Sequence, residues 1–118
     1  MARALKRTPA VSKYKSRGVR TLEGFFASKR EYGRWCELKL LAQAGEISGL
    51  RRQIPKPCWV NDIEICRPVI DFVYTRDGVE VYEDVKGYID TGSPVTRLWK
   101  MQHRVLLAVH NIEVEIVT

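Results

Sequence analysis

Residues 67–87, "RPVIDFVYTRDGVEVYEDVKG", decide the fold. Two runs rich in β-branched and aromatic residues, 67–75 and 79–87, flank Asp77-Gly78, a pair suited to a two-residue turn whose central residues both need positive φ. The spacing predicts a hairpin. Its turn sets Arg76 opposite Val79, and counting back along both strands sets Asp71 opposite Asp84. Directly opposed residues share a face with Cβ atoms about 4.5–5.5 Å apart, so the two carboxylates point the same way. Lys86, two residues past Asp84, shares that face, whereas Glu83 points to the other.

Opposed like charges destabilise a sheet unless something compensates. Two carboxylates at this separation suit one hard divalent cation, Mg²⁺ or Mn²⁺, since Mg²⁺ takes oxygen ligands at about 2.0–2.1 Å and keeps waters and phosphate oxygens in its shell. Lys86 beside such a cation would orient an attacking water or offset the charge that builds on a phosphate. Those are the parts of phosphodiester hydrolysis. The competing reading is a surface ion pair between Lys86 and either acid, with little energetic consequence. An acid-x-lysine triplet alone decides nothing, because about one arises by chance in a chain of this length.

On the N-terminal side, residues 27–44 predict a helix. Ser28 with Glu31 three positions on is a capping-box pattern, and Gly45 stands where a left-handed cap belongs. Tyr32, Trp35, Leu38, Leu41 and Ala42 fall at helical spacing as its buried stripe, with Gly33 the one residue that argues against it. Glu31 is then either a capping partner or, with the helix packed on the sheet, a third acid of the site. Lys29 would contact phosphate or solvent. Residues 47–60 contain a strand that Pro55 and Pro57 mark as an edge or an irregular end.

On the C-terminal side, "TGSP" (91–94) breaks the chain before a second helix over 95–110. Its apolar positions are Val95, Leu98, Trp99, Met101, Val105, Leu106 and Val109. His103 is assigned to a solvated position on it, with a position facing the site as the alternative. Residues 111–118 alternate as a short strand does. The predicted order is helix, strand, strand, strand, helix, strand, an α/β chain.

With 118 residues the chain has room for one domain with a core and too few for two. No apolar run approaches the roughly 20 residues of a membrane span, and the basic start lacks the apolar core of a signal peptide, so a soluble protein of a reducing, cytoplasmic setting is expected, without membrane association. Cys36, Cys58 and Cys66 show no C-x-x-C spacing and have only His103 and His110 as partners, which disfavours zinc. The net charge of +6 is unevenly spread. Arg3, Lys6, Arg7, Lys13, Lys15, Arg17 and Arg20 stand in the first twenty residues with no acid, so the whole excess lies there. We expect residues 1–22 to be a flexible basic arm available to a polyanion and 23–118 to be a single domain.

The stretches "SKREYGRWCEL" (28–38), "LRRQIP" (50–55), "VIDFVY" (69–74) and "YEDVKG" (82–87), in that order, resemble the PD-(D/E)XK nuclease superfamily, and within it short phage-encoded endonuclease-like proteins. Ile70 stands where the motif's proline would, and Asp84 where glutamate is commoner. The resemblance implies a restriction-endonuclease-like core, a mixed sheet flanked by helices. It makes Asp71 and Asp84 metal ligands, Lys86 the catalytic lysine, Glu31 the helix-borne acid of the site and Gln53 a supporting residue. It also implies a Mg²⁺-dependent DNA endonuclease, with Mn²⁺ as substitute, in the host cytoplasm if phage-encoded. Branched or Holliday-junction DNA is the favoured substrate subclass, and a homodimer would let two sites address two strands. The alternative is a non-catalytic nucleic-acid-binding module of the same fold. An RNA-binding protein is a weaker third reading, since the chain lacks a stacking pattern of exposed aromatics.

Overall fold

The structure, a computed structural model, describes residues 18–87 and 89–118. The chain divides into two compact units, Met1–Glu37 and Leu38–Thr118. Among the described residues no helix is long and apolar enough to cross a membrane.

In the first unit, strand β1 (Val19–Thr21) pairs antiparallel with β2 (Gly24–Phe26), Arg20 opposite Phe25. Thr21 closes the turn twice: its Oγ1 accepts the Glu23 N–H and donates to the Gly24 carbonyl, both at 3.0 Å. The expected arm boundary at residue 22 therefore cuts through a hairpin. A three-residue strand inside a basic segment is too short to show a period of two, which is why the sequence hid it. Phe26 is buried and meets Tyr32 edge-on at 5.0 Å between ring centroids, with Trp35 at 6.2 Å.

Helix α1 (Lys29–Gln43) follows the expected range within two residues. Ser28 caps it, its Oγ accepting the Glu31 N–H at 3.1 Å. The helix continues through Gly33 and ends where Gly45 takes a φ of +79°. There the Gly45 N–H donates to the Ala42 carbonyl and the Glu46 N–H to the Leu41 carbonyl, the paired bonds of a Schellman motif. Leu38 is buried and Tyr32, Trp35, Leu41 and Ala42 are half-buried, as the stripe predicts.

In the second unit a four-stranded sheet runs in the order β3 (Ser48–Pro55), β6 (Val69–Arg76), β7 (Val79–Val85), β8 (Val114–Val117). The first two pairings are antiparallel and β7–β8 is parallel, so the sheet is mixed and the chain α/β. Its strands and the two helices come in the order helix, strand, strand, strand, helix, strand, as expected. Strand β3 lies at the edge with Pro55 as its last residue, where a missing N–H costs no ladder bond. Asp77 and Gly78 both have positive φ, 52° and 77°, and the register pairs Arg76 with Val79 through to Phe72 with Glu83.

An unexpected element is the hairpin β4 (Cys58–Val60) and β5 (Ile63–Cys66). Its turn is Asn61-Asp62, both at positive φ. Asn-Asp is a weaker turn signal than Asp-Gly, and Trp59, Val60, Ile63 and Ile65 are all exposed, so no alternation marks the strands.

Helix α2 (Pro94–His110) starts on Ser93, whose Oγ accepts the Thr96 N–H at 3.1 Å, with Pro94 in the first turn where its absent N–H is not missed. Asn111 ends it in the left-handed region. Val95, Leu98 and Met101, expected on the apolar face, are exposed. The helix instead buries Thr96 and Leu106 and half-buries Trp99, His103, Val105 and Val109. Cys58, Ile70, Val73, Leu106 and Ile112 form the core of this unit, edged by Tyr82, Val105, Val109 and Val114.

Candidate active site

The β6–β7 ladder stops at Phe72 and Glu83. One position further, where Asp71 faces Asp84, side chains take over from the backbone. The Asp71 N–H donates to Asp84 Oδ1 at 2.9 Å, and the Val85 N–H donates to Asp71 Oδ2 at 2.8 Å. Each carboxylate thus satisfies a backbone donor on the opposite strand, which locks both side chains on one face. The hairpin register expected from Asp77-Gly78 is the reason they meet.

Asp71 is squeezed from several sides. Burial pushes its carboxyl above the usual range, and the Asp84 charge adds to that rise; the Val85 N–H, the Lys86 ammonium and the Gln53 amide oppose it. Gln53 on β3 donates from Nε2 to Asp71 Oδ1 at 3.3 Å. Its own φ is +53°, in the middle of a strand. A non-glycine residue held there costs on the order of 1–3 kcal/mol, and the position beside Asp71 makes the strain part of the site.

Asp84 is nearly buried, 5% exposed, and its Oδ2 faces two nitrogens. Lys86 Nζ lies 3.9 Å away. His103 Nε2 lies at 2.8 Å, where an imidazole N–H donates to a carboxylate. The same lysine sits over the Trp99 ring, 5.0 Å from its centroid, and the Trp99 and His103 rings are 5.2 Å apart. Strand β7 and helix α2 therefore supply one polar cluster.

His103 is the residue that the sequence assigned to solvent, and the structure corrects this: it is half-buried and bonded to Asp84. The signal was present in the spacing of Thr96, Trp99, His103 and Leu106, which lie on one helical face. Scoring only apolar residues rotated the predicted face toward Leu98 and Met101.

The structure thus brings together Asp71, Asp84, Lys86 and Gln53. Glu83 is 1% exposed and accepts the Tyr74 hydroxyl at 2.5 Å, away from the pair, as its parity in the strand requires. Glu31 belongs to the first unit, buried in the first turn of α1. Lys29 and Arg20 are exposed in that unit. Arg3, Lys6, Arg7, Lys13, Lys15 and Arg17 lie outside the described residues.

Among the described residues, no group of three or more His, Cys, Asp or Glu side chains is arranged to hold a metal ion. The carboxylate pair still fits a hard cation in donor chemistry. Carboxylate oxygens keep a second lone pair after accepting one N–H, and a positive charge would relieve both the burial and the mutual repulsion that raise Asp71. Comparison with protein-family models, curated proteins and solved structures gives no match.

Proposed function

We propose that this chain is a divalent-metal-dependent DNA endonuclease with a restriction-endonuclease-like core. The observation that carries the reading is the opposition of Asp71 and Asp84 on one face, with Lys86 beside Asp84. The order α1, β3, β6, β7, α2, β8 supports the fold assignment.

Asp71 and Asp84 would hold Mg²⁺ or Mn²⁺. When bound, the ion supplies Lewis-acid neutralisation of phosphate charge and eases deprotonation of water. Lys86 orients the attacking water and offsets charge on the scissile phosphate. Trp99 and Asp84 hold its ammonium between a π face and a carboxylate, limiting the positions it samples. Gln53 and the Val85 N–H keep the Asp71 oxygens aimed, and His103 does the same for Asp84 Oδ2. The basic residues of the N-terminal segment add sequence-independent affinity for the DNA backbone. Branched DNA as substrate, a homodimer and a cytoplasmic setting belong to the same proposal.

One observation favours a second reading, a non-catalytic DNA-binding module. Asp84 Oδ2 already has His103 and Lys86 as partners, so the cluster holds its own positive groups. Incubating the purified chain with linear, flapped and four-way DNA in Mg²⁺ or Mn²⁺ separates the two. The nuclease reading predicts cleavage that Asp84→Ala abolishes; binding without cleavage by the parent chain supports the module.

A further inference from the structure

The antiparallel ribbon that carries Asp71 does not end with β3. The Lys56 N–H donates to the Pro68 carbonyl at 2.9 Å, and beyond it Cys58 is the direct partner of Cys66. The register slips only after this pair, between Cys58 and Trp59. Residues opposed in an antiparallel pair have Cα atoms about 4.5–5.5 Å apart, inside the roughly 4.4–6.8 Å that a disulfide spans. Both thiols are free. Cys58 is wholly buried, whereas Cys66 is half-buried at the edge of the same core. Cys58 Sγ donates to the Lys56 carbonyl at 3.5 Å. Cys66, half-buried where Cys58 is wholly buried, is the group that meets a reagent first, and burial above all, with Cys66 adding to it, pushes the Cys58 thiol up to about 11.

We propose that Cys58 and Cys66 are an oxidisable dithiol whose intrachain disulfide, formed at the expense of a low-molecular-weight disulfide, closes the base of the β4–β5 hairpin. The Cys66 thiolate attacks one sulfur of the reagent, breaking its S–S bond; a mixed disulfide forms on Cys66 and the first reagent thiolate leaves. Cys58, losing its proton, then attacks Cys66 Sγ and expels the second reagent thiolate. Both protein sulfurs are oxidised, the reagent is reduced to two thiols, and the two protein hydrogens end on those thiols. The product ties together the strands that bear the exposed Trp59, Val60, Ile63 and Ile65 and lead into β6.

The test is treatment of the full chain with oxidised glutathione, followed by intact-mass measurement and peptide mapping. The proposal predicts a loss of two hydrogens, about 2 Da, confined to the peptide that holds both cysteines, without retained glutathione and reversible by dithiothreitol. The thermal midpoint of the oxidised chain rises. Cys36→Ser leaves this change intact. Cys58→Ser and Cys58→Ala trap glutathione on Cys66 because the resolving thiol is gone. A disulfide that includes Cys36, an interchain disulfide, or stable glutathione on Cys66 of the parent chain would overturn the proposal. The wild-type peptide map decides the point even where a Cys58 variant fails to fold.

Discussion

Asp71 and Asp84 exchange a pair of contacts across the hairpin: the Asp71 N–H is held by the Asp84 carboxylate, and the Asp71 carboxylate holds the N–H of Val85. The ordinary ladder has already ended at Phe72 and Glu83. Two acids thus replace backbone acceptors at the point where the strands part, and this keeps both charges on one face despite their repulsion. Directly opposed like charges destabilise a sheet, and the two backbone N–H bonds offset part of that cost.

The raised Asp71 carboxyl carries a pH dependence. A group whose folded value lies above its unfolded value of about 3.9 holds a proton that the unfolded chain has released. Its contribution to stability is full below that value and is lost as pH rises through the raised folded one. Asp71→Asn removes this titration. Urea unfolding from pH 4 to neutrality should show the variant gaining on the parent chain as pH rises. A gap that stays constant with pH would count against the raised value.

Mg²⁺ should oppose the same penalty. Ligand that binds only the folded chain stabilises it by mass action, so the thermal midpoint should climb with Mg²⁺ concentration. In Asp71→Asn and Asp84→Asn the climb should vanish. An equal rise in all three proteins would mean that the ion acts elsewhere.

His103→Ala removes the nearest partner of a nearly buried carboxylate. Leaving Asp84 Oδ2 with only the more distant Lys86 should cost about 1–3 kcal/mol in chemical denaturation. His103→Asn, which keeps an N–H donor, should recover part of the loss. No change in either variant would contradict a structural bond to Asp84.

Gln53 holds a φ of +53° that glycine adopts without strain. Gln53→Gly should therefore keep or raise stability, by up to about 1 kcal/mol, while slowing any cleavage because Asp71 Oδ1 loses its amide donor. A thermal melt and a rate measurement together check this. A large loss of stability would show that the amide bond outweighs the backbone strain.

Where local chemistry was decisive, the fold was legible from the sequence. Asp77-Gly78 set the hairpin register, and that register alone placed Asp71 opposite Asp84 and excluded Glu83. Ser28 and Gly45 marked the ends of α1, and the break at 91–94 marked the start of α2 to within one residue. The rest depended on tertiary contacts that no short window contains. The Asn61-Asp62 turn joins strands with no buried alternation, so β4 passed as part of an irregular strand end and β5 was assigned no element. His103 was misplaced because a polar residue was counted against burial, although a nearly buried carboxylate on β7 is what it meets. The strain at Gln53 is a property of φ and leaves no mark in composition.

The central claim is tested most directly by single-turnover cleavage of DNA in Mg²⁺, comparing the parent chain with Lys86→Ala at equal DNA occupancy. Removing one charged group that acts on the transition state should slow cleavage by about 10²–10³-fold while leaving DNA binding nearly unchanged. Cleavage by Lys86→Ala at the parental rate, or no cleavage by the parent chain on linear or branched DNA, would contradict the account.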